Sequence, residues 1–265
     1  MNAMTARTVK HYHAQLSPAR GTAISLAAFC AFVTVGSVVA TPLAGLASAE
    51  IAGLLVVLLA AIVTLGPQHW RDGLFLHRPS ARDGVAATAI GLSMWLVNYR
   101  LTMLMAHQVG LPTDNPSLNA VVIDPPLLPS LLCVALLPAI CEELWFRGFW
   151  LRHCVSRWPG PVAVVVVSVG FAAFHVSWAQ AVSTLVLGIV LGFVTLQSNS
   201  IAPAMWAHLL NNIIGILLSR HELRWLSHYC ASHPTLSTGV ASATALFGIV
   251  LIRWPRSAAT AQTSD

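Results

Sequence analysis

Six polar side chains from three apolar stretches have the types and spacings to do chemistry. Glu142, Glu143 and Arg147 lie in Ala139-Ile-Cys-Glu-Glu-Leu-Trp-Phe-Arg-Gly148; His175 ends Phe171-Ala-Ala-Phe-His; His208 and Asn212 bracket His208-Leu-Leu-Asn-Asn212. On a helix, Glu143 and Arg147 share a face, with the acid N-terminal to the base, so each charge has its counter-charge. Glu142 lies about 100° further round the helix and has no such partner in sequence. His208 and Asn212 are also one turn apart and stack on a common face, while Asn211 points elsewhere, to bond a neighbouring helix. A carboxylate base, an imidazole and an amide donor are the parts needed to activate water and hold an oxyanion. Pro138, four residues before Glu142, clashes with the carbonyl of Val134 and bends the helix, which would open a wet cavity beside the carboxylate. Two blander readings stand beside this one: an ion-paired structural knot at Glu142–Arg147, and an interfacial histidine at His175.

The elements that must position these groups are membrane helices. Of the 265 residues 56% are hydrophobic and 9% charged, with a mean hydropathy of +0.73, whereas a soluble domain carries about 25% charged residues. The chain therefore reads as an integral membrane protein. A charged side chain at bilayer depth costs about 2.5–3.5 kcal/mol on insertion scales, so three of them in six residues need a reason. Apolar runs fall at about 22–41, 47–66, 84–106, 127–154, 161–176, 179–197, 201–218 and 237–252. The expected fold is all-α, a polytopic transmembrane helical bundle of about eight spans. Residues 1–21 read as a cytoplasmic tail, 22–253 as a single membrane-embedded domain with its motif core at 127–218, and 254–265 as a disordered tail. The first run is too long and too far from the N-terminus for a signal peptide, despite an Ala47-Ser-Ala49 site. Gly188 and Gly192 form a GxxxG pattern that permits close helix packing. A loop rich in Pro and Asn spans 107–126.

The formal charge of +5 comes from basic residues scattered between apolar spans, without the stripe that a nucleic-acid partner needs. Five cysteines lack a CxxC spacing and read as small buried hydrophobes; two carboxylates next to Cys141 disfavour its thiolate. With eight spans both termini share a side. Placing the N-terminus in the cytoplasm puts Arg7, Lys10, Arg20, Arg71, Arg78, Arg82, Arg147, Arg152, Arg157, Arg253 and Arg256 inside, and Arg100, Arg220 and Arg224 outside, as the positive-inside rule favours. In that arrangement His175 ends the fifth run near the outer side while His208 lies nearer the cytoplasmic one. Bringing both to Glu142 requires a short or re-entrant fifth segment.

Glu142-Glu143-x-x-x-Arg147, Phe171-x-x-x-His175 and His208-x-x-x-Asn212, in that order within apolar runs, resemble the three-motif signature of the CAAX-protease and bacteriocin-processing enzyme (CPBP) family. These are glutamic-type intramembrane endopeptidases, and the resemblance covers about 127–218. It implies a hydrolase acting on a membrane-associated protein or peptide, such as a CaaX end, a leader or a C-terminal tail, in a bacterial inner or plasma membrane. It implies Glu142 as the base that polarises a water and His175 as a group that helps to hold it. His208 and Asn212 would stabilise the oxyanion, with Glu143 and Arg147 as a structural pair, and no cofactor or metal is required. HExxH and Cys/His zinc signatures are lacking, although Glu142, His175 and His208 are acceptable zinc ligands, so a zinc metallopeptidase is one alternative. A non-enzymatic immunity or partner-binding membrane protein is the other.

Overall fold

The structure, a computed structural model, describes residues 16–65, 69–110, 116–175 and 177–253. Eight main helices follow the apolar runs: α1 (Pro18–Val38), α2 (Pro42–Leu65), α3 (Ala81–Gln108), α4 (Leu127–Val155), α5 (Gly160–Phe174), α6 (Ala181–Ser198), α7 (Ala202–Ser219) and α8 (Pro234–Arg253). The architecture among the described residues is an all-α bundle. Most of the expected N-terminal tail and the whole C-terminal one lie outside the described residues. What remains of the former is shorter than expected, because Ser17 caps α1 by accepting from the Arg20 amide, and Pro18 suits the first turn.

Six of the eight helices are long and apolar enough to cross a membrane. The two that fall short are informative. Helix α3 has 28 residues, but Asn98, Tyr99 and Arg100 lower its hydropathy, and Asn98 and Arg100 bond to α7 and to the Cys230 carbonyl. Helix α5 has only 15 residues, about 22 Å at the helical rise, against about 30 Å for the hydrocarbon core. The short fifth segment that the motif required is therefore present. Outward-facing Leu55, Leu59 and Val63 on α2, Val162, Val165 and Val169 on α5, and Leu246, Phe247 and Val250 on α8 are the apolar surface of an integral membrane protein.

Two expected loops carry more structure than their sequences suggest. Within 107–126, Pro116–Val122 is helical, and the polar segment after α7 contains a helix at Arg224–Ser232. Arg220 fastens the first of these, donating from Nη1 to the carbonyls of Val122, Ile123 and Pro125 at 2.8–2.9 Å. At the opposite end of the bundle the 69–80 segment is tied to the α6–α7 turn by a bridge between Leu76 and Ser200, and by Ser200 Oγ donating to the His77 carbonyl. Helices α3 and α7 touch closely: a Cβ at Gly91 would sit 2.7 Å from the Ala207 carbonyl oxygen. The Gly188/Gly192 face packs on Ser168 and Val164 of α5, as a packing motif should. Cys141, Cys154 and Cys230 are buried, Cys133 is half-buried and Cys30 faces outward, all as free thiols.

Candidate active site

Helix α4 carries the first motif, and it is not regular. Leu131–Leu136 and Glu143–Trp150 are wound as π-helix, with α-helical turns at Leu137–Glu142 between them. Such wide turns leave backbone groups needing other partners and are frequent at functional sites. Pro138 has no N–H to offer the carbonyl of Val134, and Asn212 Nδ2 of α7 donates to that carbonyl instead, at 3.4 Å. The proline thus does more than bend α4: it creates the acceptor that holds the third motif against the first.

Glu143 and Arg147 form the expected pair, Arg147 Nη1 donating to Glu143 Oε1 at 2.7 Å with both side chains fully buried. Arg147 Nη2 also donates to the Gly188 carbonyl at 3.4 Å, and its guanidinium lies 4.2 Å from the centre of the Phe171 ring. The pair is not closed, however. Glu143 Oε1 also accepts from His208 Nδ1 at 2.9 Å, so Glu143 orients the histidine of α7 as well as the arginine of its own helix. Sequence spacing reports only the partner on the same helix, which is why this second bond was not foreseen. With Nδ1–H committed to a carboxylate, Nε2 is the nitrogen of His208 that remains for chemistry.

That nitrogen lies 3.8 Å from Glu142 Oε2, too far for a direct hydrogen bond. Both side chains are buried, and Glu142 Oε2 has no hydrogen-bond partner among the described residues. Glu142, His175, His208 and Asn212 all line one cavity of about 380 Å³. His175, at the C-terminal end of α5, donates from Nδ1 to the Phe171 carbonyl at 2.9 Å. Because α5 is short, His175 reaches this cavity instead of the membrane surface. Asn212 is held in turn: Asn211 Nδ2 donates to its Oδ1 at 3.1 Å, and Asn98 Nδ2 of α3 donates to Asn211 Oδ1 at 3.0 Å. Asn211 therefore bonds a neighbouring helix, as expected, and also steadies Asn212.

One further carboxylate, unmarked by any motif, lines the cavity. Glu50 of α2 is buried and shares the cavity wall with Glu142. It is the lone charged residue in the 24-residue α2, and that isolation is the signal that could have found it. No three His, Cys, Asp or Glu side chains among the described residues are grouped to hold a metal ion.

The family model described as type II CAAX prenyl endopeptidase Rce1-like matches residues 124–214, a segment that holds all three motifs and the residues just placed together. Over that segment the chain is similar to the CAAX-protease family. The match supports an intramembrane CAAX-type endopeptidase in general, hence a peptidase with a membrane-associated peptide substrate. No curated protein and no solved structure matches the chain. Helices α1 to α3, including Glu50, lie outside the matched segment.

Proposed function

We propose that the protein cleaves a peptide bond of a membrane-associated substrate with a water activated by Glu142. The observation that carries this reading is the buried 3.8 Å gap between Glu142 Oε2 and His208 Nε2 on the cavity wall: one water can hydrogen-bond to both atoms at once. Glu142 takes a proton from that water as its oxygen adds to the scissile carbonyl. His208, oriented through Nδ1 by the Glu143 carboxylate, faces the oxyanion with Nε2. Asn212 uses one N–H on Val134 and has a second for the same oxyanion. His175, its tautomer fixed by the Phe171 carbonyl, offers Nε2 as an acceptor that holds the water. The C–N bond breaks as Glu142 returns its proton to the leaving amine, leaving a carboxylic acid, an amine and the starting enzyme.

Sidedness narrows the substrate. The cavity reaches from Glu142 towards the end of the bundle that bears Gln180, Ser219 and Val122. Basic residues crowd the opposite end, at Arg20, Arg71, Arg78, Arg82, Arg152, Arg157 and Arg253, against Arg100, Arg220 and Arg224 at the cavity end. The positive-inside rule then supports a cytoplasmic N-terminus and a cavity opening outward. An exported leader or C-terminal tail fits that opening better than a cytoplasmic CaaX end. Two experiments test the reading. Comparison of the membrane proteome with and without Glu142→Gln should reveal an uncleaved precursor; identical proteomes would overturn the peptidase. A membrane-impermeant maleimide should label Ser219→Cys in intact cells and Arg157→Cys only after lysis; the reverse pattern would turn the cavity to the cytoplasm.

A further inference from the structure

The Glu142 base has a second carboxyl group against it, and neither the motifs nor the matched segment accounts for it. Glu50 lies on α2, in the turn that packs beside the α-helical part of α4, and is 2% exposed. Its side chain is buried and lines the same cavity as Glu142. Two carboxylates have only acceptor atoms, so two buried carboxyl groups that share one cavity can satisfy each other only with a proton between them. Each group also has an oxygen, Oε2, with no hydrogen-bond partner among the described residues. Two like charges in contact at bilayer depth would stand uncompensated, because the neighbouring cation, Arg147, is taken up by Glu143. Of the other titratable groups, His208 from α7 lies 3.8 Å from Glu142, and His175 from the end of α5 lines the same cavity.

We propose that Glu50 and Glu142 form a carboxylic acid–carboxylate pair holding one proton between them, with Glu50 as a positioning residue that keeps the Glu142 carboxylate in place for the catalytic water. This rests on the peptidase reading for its purpose but not for its existence. During turnover Glu142 accepts one proton from water and gives it to the leaving amine, while the shared proton stays with the pair, so the proton count closes in every cycle. Glu50 thereby joins α2, a helix with no motif, to the chemistry on α4. A structural acid on α2 would instead be met by a cation or a set of amide donors, whereas among the described residues Glu50 Oε2 has no hydrogen-bond partner and the cavity it lines also holds Glu142.

Infrared spectroscopy of the purified full chain at neutral pH tests the pair without any substrate. Wild-type protein should show the C=O stretch of a protonated carboxyl that shifts in D2O. That band should be displaced or lost both in Glu50→Gln and in Glu142→Gln. Absence of the band from wild type, or an identical band in Glu50→Gln, would overturn the pair. Wild-type data alone decide the first point, even if a variant fails to fold. In membranes, Glu50→Gln keeps the side-chain size and an N–H donor, and should slow clearance of the precursor that accumulates with Glu142→Gln by on the order of ten-fold. Glu50→Leu, which removes the hydrogen bond as well, should slow it further. Clearance at the wild-type rate in a folded Glu50→Gln would remove its positioning role. If no precursor exists while the infrared band behaves as expected, the pair stands and the peptidase reading fails.

Discussion

The two halves of α4 differ in how they are built, and the difference separates holding a charge from using one. From Glu143 to Trp150 every residue except Leu144 is buried. Trp145, Phe146 and Trp150 meet Phe171 and Phe174 of α5 and each other with ring centroids 5.0–5.8 Å apart. In this half Arg147 and Glu143 are fixed by bonds on several sides. From Leu127 to Ile140, by contrast, Leu128, Leu132, Leu136 and Ile140 face outward, and Val134 and Pro138 line the cavity. Glu142 stands where the halves join. The packed half fixes its backbone, and the open half gives its carboxylate access to a cavity.

Substitutions should split along the same line. The largest effect is expected at the junction: Glu142→Gln should lower the cleavage rate by about 10²–10⁴-fold, the range for a general base, while thermal unfolding of the purified protein stays close to wild type. Next comes the packed half. Arg147→Met strands a buried Glu143 and should destabilise by about 3–5 kcal/mol, seen as lost folding yield and a lower unfolding temperature. Wild-type yield would break the contrast between the halves. Asn212→Ala removes one oxyanion donor and should cost about 10²–10³-fold in kcat. It should cost some stability too, because the Val134 carbonyl loses its donor. Smaller again is Gly170→Ala, whose Cβ would run into the Trp150 ring; overpacking of that kind costs about 1–3 kcal/mol and should leave cleavage per folded molecule unchanged. The smallest effect is expected from chelation: EDTA or phenanthroline should leave the activity of purified protein intact, and loss of activity would favour the zinc alternative.

Much of this was legible in the sequence, for reasons that also mark its limits. The positions of the long helices follow from hydropathy alone, since a membrane helix must be apolar along its length. The Glu143–Arg147 bond follows from spacing on one helix. The link from Glu143 to His208 joins residues 65 apart, and no periodicity reports a contact between helices. Pro138 was legible as a break in α4, but the partner of the freed carbonyl, Asn212, comes from α7. Glu50 stood in plain view as a charge in an apolar run, yet without a companion at helical spacing it offered no pattern to read. The helices at Pro116–Val122 and Arg224–Ser232 were hidden because their polar composition resembles loop, and Arg220, which fastens the first of them, acts across 95–98 positions.

The cavity also determines where the second reactant comes from. Hydrolysis consumes one water per bond cut, and lipid supplies none. At about 30 Å³ per molecule of liquid, a cavity of 380 Å³ has room for on the order of ten waters. A peptide that enters must expel most of them, yet one has to remain beside Glu142. The polar lining does not run evenly along the wall: Gln180, Ser183, Thr184 and Ser219 stand towards the mouth, and the carboxylates and imidazoles at depth. Under the proposed reaction the mouth is a wetting path and the floor a retention site, so a substrate must leave one water beside Glu142 as it displaces the rest.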